Sequence, residues 1–436
     1  MDQAHQKGIS RRHFLQTALL GTAGFSILPP LAYGRPAPSD TINIGVIGLG
    51  RQAQGLTNTF LNIPGVKVVA GSDVYRVKRQ RFEQLVNGYY QHQKKRSKIK
   101  TYEHYTDLLN RKDIDAVVIA TPDHWHALMG IDACRAGKNV YLEKPLTFTI
   151  KEGQELVKAV RNNNRILAVG SQQRSSREFQ HAVNLIREGK IGRVERINAH
   201  VGGPPVPYNL GPQPIPDGLN WELWLGPNPY VHYNPALNPP ISLDPPQGET
   251  IWAAWRLYKE TGGGYTTDWG AHMFDIAQWA LNKDSSGPVE VIPPGYQDYD
   301  YLTYRYDDGV TMTERPYDEQ KSRGIKFWGS DGWIEVTRGG FKSSDPSLDI
   351  QRNAEGGIDN TRFAHQLDFI AAIRNDRDPV VPVEVGHRTS TVCTLGNIAY
   401  ELQRPVQWNP QQESFVNDAE ADHYLHRPYR EGYSLT

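Results

Sequence analysis

Ile42-Asn43-Ile44-Gly45-Val46-Ile47 is a short β-branched run that leads straight into Gly48-Leu49-Gly50-Arg51-Gln52-Ala53, and a helix-like stretch follows to Leu61. Strand, glycine turn and helix in this order form a nucleotide-binding signature. The GxGxxA spacing lets backbone approach a pyrophosphate: Gly48 makes the turn, Gly50 clears space, and Ala53 permits close packing of helix on strand. Arg51 and Gln52 open the helix within the same turn. A second strand over 66–72 ends on Asp73, where an acid about 20 residues past the glycines bonds ribose hydroxyls. A carboxylate pairs with a free 2′-hydroxyl and repels a 2′-phosphate, so Asp73 favours NAD over NADP, while Arg76 and Lys78 keep NADP open. A strand-end acid can also cap the next helix, but the complete βαβ setting points to ribose.

The alternation continues. Strands are expected over 114–120, 139–142 and 166–169, with helices over 127–136 and 154–162 between and after them. The fold class is therefore α/β, with a doubly wound parallel sheet over residues 41–170. Ligands of such sheets sit at the carboxyl ends of the strands. That singles out Thr121-Pro122-Asp123-His124-Trp125-His126, Glu143-Lys144-Pro145 and Gln172-Gln173-Arg174.

Past residue 190 the rhythm changes to hairpins. Asp308-Gly309 lies between alternating residues, and Gly329-Ser330-Asp331-Gly332 separates two further runs. These predict a C-terminal α+β domain with a large, mainly antiparallel sheet, one face of which can meet a second copy of the chain. The division expected is 35–170 for nucleotide binding, 171–403 for substrate and oligomerisation, and 404–436 as a tail packing on both. Residues 204–246 contain 13 prolines in 43 positions, which predicts a long loop excursion. Trp221, Trp224, Tyr230 and Tyr233 lie in it, and Trp252, Trp255, Tyr258 and Tyr265 follow. Such rings can pack on sugar faces as a lid, or simply anchor the loop.

Composition narrows the classes. Lysine plus arginine equals aspartate plus glutamate at 48 each, so no global charge draws the chain to nucleic acid or an anionic membrane. Two cysteines, Cys134 and Cys393, exclude a disulfide framework or a cysteine-rich metal site and read as core residues. At the N-terminus, Ser10-Arg11-Arg12-His13-Phe14-Leu15-Gln16 precedes a weakly apolar run and a small-x-small site at Ala32-Tyr33-Gly34. This resembles the twin-arginine signal of bacterial exported proteins, so residues 1–34 are expected to be an address label for a periplasmic or otherwise exported protein without a stable membrane anchor.

The residues for chemistry lie in Asp268-Trp269-Gly270-Ala271-His272, four apart on a helix-like stretch, where the carboxylate can orient the imidazole and raise its basicity. Lys144 adds an ammonium that can stabilise developing alkoxide while a neutral histidine takes the hydroxyl proton. His124-x-His126 and Asp268-x-x-x-His272 contain metal-ligand types, but hydride transfer explains them and no metal is expected.

GxGxxA, Asp73, the TPDHWH loop, GKNVYLEKP and DWGAH together resemble the Gfo/Idh/MocA family of sugar and cyclitol dehydrogenases over nearly the whole mature chain. The resemblance implies Lys144, Asp268 and His272 as the catalytic trio, Glu143 at the nicotinamide ribose, and a cis bond before Pro145. It implies that Thr121, Pro122 and His126 line the nicotinamide pocket, with Gln172 where many members carry asparagine. Arg174 fits the family's basic position, and with Trp255, Arg256 and Tyr265 it is an expected substrate contact. NAD, tightly bound, is the expected cofactor, and the partners are a sugar or glycoside and further copies of the chain. Three functions follow: oxidation of a secondary hydroxyl; glycoside cleavage by transient oxidation, elimination, hydration and reduction; or sugar binding without catalysis. No pair of carboxylates at recognisable spacing supports an ordinary acid/base glycosidase.

Overall fold

The structure, a computed structural model, describes residues 41–95, 98–249, 251–350 and 361–435. The expected signal over 1–34 lies outside the described residues.

The first half alternates as its hydrophobic pattern requires. β1 (Ile42–Ile47), α1 (Arg51–Leu61), β2 (Val66–Ser72), α2 (Arg76–His92) and β3 (Lys100–Tyr102) build one wing of a sheet. α3 (Tyr105–Leu109), β4 (Ala116–Ile119), α4 (His126–Arg135), β5 (Asn139–Leu142), α5 (Ile150–Asn162) and β6 (Leu167–Val169) build the other. The strand order β3-β2-β1-β4-β5-β6 is parallel throughout. It reverses between β1 and β4, which places a crevice above their carboxyl ends. Every residue of β4 is buried because helices cover both faces.

In the second half, α6 (Arg177–Arg187) leads into β7 (Val194–Ala199), and three short helices follow: α7 (Trp221–Leu225), α8 (Gly264–Asp268) and α9 (Gly270–Ala280). The hairpin strands are β8 (Glu290–Ile292), β9 (Thr303–Arg305), β10 (Thr311–Thr313), β11 (Gly324–Gly329), β12 (Trp333–Thr337) and β13 (Gly340–Ser343). With β14 (Val406–Asn409) and β15 (Ser414–Phe415) they form a nine-stranded sheet, β13-β12-β11-β7-β10-β9-β8-β14-β15. Only β7 and β10 pair in parallel. One face carries Ile197, Tyr304, Met312, Phe327 and Ile334 against Met273, Phe274 and Ala277 of α9. Alternation leaves the opposite face to Arg196, Lys326, Trp328 and Trp333, whose cations stack on the indoles.

The chain does not divide cleanly at residue 170. α10 (Thr361–Asn375) returns to the nucleotide half, where Phe369 and Ile370 share a core with Ile44, Phe60 and Tyr141. Val381, Val383 and Leu435 join the core around β4 and β5. The segment 404–436 is more than a tail, since β14 and β15 extend the large sheet. Helix α11 (Val383–Leu402) packs between the halves, touching both α5 and α9. The proline-rich excursion is irregular apart from α7. Trp221 stacks on Trp224 at 4.5 Å and 10°, and both cluster with Tyr75, Tyr233 and Trp255. Most of these rings therefore anchor the loop to the nucleotide half.

Candidate active site

A cavity of about 1020 Å³ opens above the carboxyl ends of β1, β2, β4 and β5 and is closed from the other side by residues of the second half. Its floor is the glycine turn. Gly48 has φ +79°, and a Cβ there would lie 2.8 Å from the backbone carbonyl of Ala120, so only glycine fits. A Cβ on Gly50 would meet nothing within 4 Å and would project into the space a phosphate needs. Gly50, Arg51 and Gln52 line this space, whereas Ala53 is buried under the helix in the packing role its size suggested.

Asp73 lines the cavity at the end of β2. One carboxylate oxygen accepts the Leu49 N–H at 2.8 Å and the other accepts the Tyr75 N–H at 2.8 Å. The acid thus holds the glycine turn as well as facing the cavity. Of the two basic residues that kept NADP open, Arg76 turns away to pair with Asp217, while Lys78 lines the wall and donates to Asn238 at 3.0 Å.

Glu143 is buried at the end of β5. Its Oε1 accepts from Gln52 at 2.8 Å and from Gln172 at 3.0 Å, and burial raises its pKa against those bonds. Gln172 also donates to the Tyr141 hydroxyl at 3.1 Å. The Lys144–Pro145 peptide is cis, as the resemblance implied. His126 departs from expectation. It does not line the cavity but sits behind the wall, its ring nitrogens 2.7 Å from the Pro145 carbonyl and 3.0 Å from that of Thr121. Burial lowers its pKa to about 4, so it is neutral and its single ring N–H donates to one of these two strand-end carbonyls. Thr121 and Pro122 do line the cavity, and the Thr121 Oγ1 is buried without a partner.

The chemical group gathers across the domain junction. Lys144 Nζ donates to Asp268 Oδ1 at 2.7 Å and to the Asp268 carbonyl at 3.0 Å, with Arg256 at 3.6 Å from the same carboxylate oxygen. Burial opposes the Asp268 charge, yet Lys144, Arg256 and Arg323 hold its carboxyl below the usual range. His272 lines the cavity and is buried, which drives its pKa well below the ordinary value, with Lys144 and Arg338 adding to the effect. Its Nδ1 has no hydrogen-bond partner. The expected Asp268–His272 contact is therefore corrected. The two helices α8 and α9 meet at Trp269, and the carboxylate serves Lys144 rather than the imidazole.

Two expected substrate contacts are also corrected. Arg174 is 2% exposed and outside the cavity, its guanidinium shared between Asp275 at 2.8 Å and Asp284 at 2.7 Å. Tyr265 does not line the cavity either; its ring lies under Arg323 at 4.2 Å. Trp255 and Arg256 do line it, with the guanidinium 4.4 Å above the Trp255 ring. Further charged residues line it that the sequence reading did not name as site residues, among them Asp123, Arg338 and Arg362. Asp123 belongs to a loop already singled out by its place after a strand. Arg338 sits in the β12–β13 turn, donates to Gln173 at 3.2 Å and stacks on Trp269 at 4.7 Å. Arg362 opens α10 and lies across Gly55, where a Cβ would come within 2.5 Å of its guanidinium. No group of three potential metal ligands occurs among the described residues.

Residues 42–171 match the NAD-binding Rossmann fold of an oxidoreductase family, and residues 206–435 match that family's C-terminal alpha/beta domain. A glycosyl hydrolase family 109 protein of Shewanella pealeana is 31% identical over 204 residues. An alpha-N-acetylgalactosaminidase of Shewanella oneidensis is 30% identical over 209 residues. In both cases the match covers 43% of this chain and 44% of the relative, so the chain spans less than half the length of the curated relatives it matches. The solved scyllo-inositol dehydrogenase of Lactobacillus casei, with bound NAD(H) and scyllo-inositol, shares the fold at 19% identity and a TM-score of 0.56, covering 84% of this chain and 99% of that one. A glycine turn at a Rossmann switch point, a lysine after the fifth strand and two domain matches in the proper order have one common source: the chain belongs to the Gfo/Idh/MocA oxidoreductase family.

Proposed function

We propose that this protein oxidises a secondary hydroxyl of a sugar, glycoside or cyclitol with tightly held NAD. The observation that carries the reading is that Lys144, braced by Asp268, and neutral His272 line the same cavity as the glycine turn, Glu143 and Asp73. The residues fit the nucleotide: Gly50 leaves open space over the helix start, Arg51 and Arg362 bring positive charge to it, and Asp73 lines the wall where a ribose would lie. Bound NAD would supply the hydride acceptor. The protein's part is the proton. His272, kept neutral by burial, accepts it from the substrate hydroxyl, and Lys144 keeps an N–H beyond its two Asp268 bonds to stabilise the alkoxide oxygen. Asp268 holds that ammonium in place.

The family 109 relatives support a second reading, glycoside cleavage with recycled cofactor, in which oxidation acidifies a neighbouring C–H before the aglycone leaves. Asp73 supports NAD over NADP. The exposed face of the large sheet supports association of like subunits, and the twin-arginine pattern supports export. No helix among the described residues is long and apolar enough to cross a membrane.

The test begins with the purified protein: denaturation is expected to release NAD(H), and Asp73→Ala should weaken NAD more than NADP. Absence of nucleotide together with no binding of added NAD or NADP would overturn the reading. Incubation with scyllo-inositol and with p-nitrophenyl N-acetyl-α-D-galactosaminide separates the two reactions, since oxidation yields NADH and cleavage yields nitrophenol without net NADH.

A further inference from the structure

The turn between β4 and α4 leaves two side chains without a hydrogen-bond partner, Thr121 and Asp123, and only the second is a carboxyl. His124 sits between the carbonyls of Trp224 at 3.0 Å and Thr261 at 3.3 Å, Trp125 donates to the Trp224 carbonyl at 3.0 Å, and His126 sits between the carbonyls of Thr121 and Pro145. Asp123, in the same turn, is 3% exposed and lines the cavity. Its carboxyl makes no hydrogen bond to any described residue. The positive groups acting on it, Lys144 and Arg256, are already engaged with Asp268. Buried polar groups are almost always paired, and a carboxyl without a protein partner that faces a cavity is placed to meet a ligand atom.

The chemistry of that atom follows from the surroundings. A carboxyl beside Asp268 repels an anionic ligand group, and Lys144 and Arg256 beside it disfavour a cationic one, so the partner is neutral. Burial pushes the Asp123 carboxyl up to about 7, so near neutral pH it both accepts and donates. An alcohol matches both roles, since its O–H donates to a carboxylate and its oxygen accepts from a carboxylic acid.

We propose that Asp123 binds a second hydroxyl of the polyol, neighbouring the one held by Lys144 and His272, and thereby sets which polyols are accepted. This rests on the reading of the cavity as a polyol oxidation site. Asp123 is then a substrate-contacting residue whose pairing is completed only in the complex.

The experiment uses the full chain carrying its nucleotide and whichever of scyllo-inositol, D-glucose or p-nitrophenyl N-acetyl-α-D-galactosaminide it turns over, together with the monodeoxy analogues of that compound. Asp123→Asn and Asp123→Ala are expected to keep NAD affinity and to keep or raise Tm, because a costly unpartnered carboxyl is removed. Asp123→Ala should lose about 10- to 100-fold in kcat/KM on the parent compound. On one deoxy analogue the wild type should fall by a similar factor and Asp123→Ala should fall no further. Equal, additive losses of wild type and variant on every analogue would overturn the proposal, as would unchanged kcat/KM with a Tm lowered by several degrees. A wild-type protein that turns over none of the three compounds refutes the polyol reading itself, and this proposal with it, whereas an active wild type with indifferent variants refutes only the role of Asp123.

Discussion

The nucleotide wall of the cavity is made of residues that directly follow parallel strands, whereas the substrate wall is collected from the proline-rich excursion, the α8–α9 junction, a hairpin turn and a returning helix. On the first wall Gln52, Glu143, Gln172 and Asp73 hold one another and the backbone by hydrogen bonds. On the second, Arg256 stacks on Trp252 and Trp255, and Arg338 stacks on Trp269. Hydrogen-bonded strand ends fix one geometry, while cation–π stacks tolerate changes of ring and distance. The difference assigns a constant ligand to the first wall and a variable one to the second.

The sharpest test of this division falls where the walls meet. His272→Ala and Lys144→Met should each lower turnover by about 10² to 10⁴ while leaving NAD affinity close to the wild-type value, as loss of a positioned base or charge stabiliser does. Lys144→Met also strips Asp268 of its nearest cation, so this variant should lose thermal stability that His272→Ala keeps. A folded, fully active His272→Ala protein would defeat the assignment.

Next in size is the cluster that aims the substrate wall. Arg174 joins the loop after β6 to Asp275 on α9, one turn past His272, and Thr389 of α11 donates to the same carboxylate at 2.9 Å. Arg174→Met leaves Asp275 buried without its counter-ion, which should cost about 3–5 kcal/mol in a denaturant titration. KM should stay near the wild-type value in the protein that remains folded. A raised KM with unchanged stability would return Arg174 to the substrate side of the comparison.

The contrast also explains what was legible in the sequence. The parallel sheet and its strand-end loops are readable because β1, β4 and β5 are short, mostly apolar runs and the glycine turn has steric requirements that only its own residues meet. Position after a strand singles out Lys144, Glu143, Gln172 and Asp73, and the family resemblance supplies the roles of the first three. Arg338 and Arg362 gave no signal, since they enter the cavity through the register of β12 with β13 and through the return of α10 to the nucleotide half, which are tertiary facts. Arg174 misled because a basic residue after a strand looks alike whether it meets substrate or two buried carboxylates. The Asp268–His272 spacing misled because spacing along a helix gives adjacency but not the competition, and Lys144 outbids the imidazole for the carboxylate.

Arg362 offers the smallest effect and the finest distinction, because it brings a charge from the returning helix to the nucleotide wall. It is exposed, lies across Gly55 of α1, and has no ion-pair partner among the described residues. An unpaired guanidinium over the start of the glycine-turn helix adds positive charge where a pyrophosphate would lie. Arg362→Gln should therefore weaken NAD binding about 3- to 10-fold at low ionic strength, the scale of a single exposed charge contact. Salt must erase the difference, since exposed charges are screened within about 10 Å at 0.1 M. Titrating wild type and variant with NAD at several salt concentrations checks both points. A loss that persists in high salt would mean that Arg362 shapes the turn by contact, and no loss at any salt would mean that the nucleotide wall is complete without the second half of the chain.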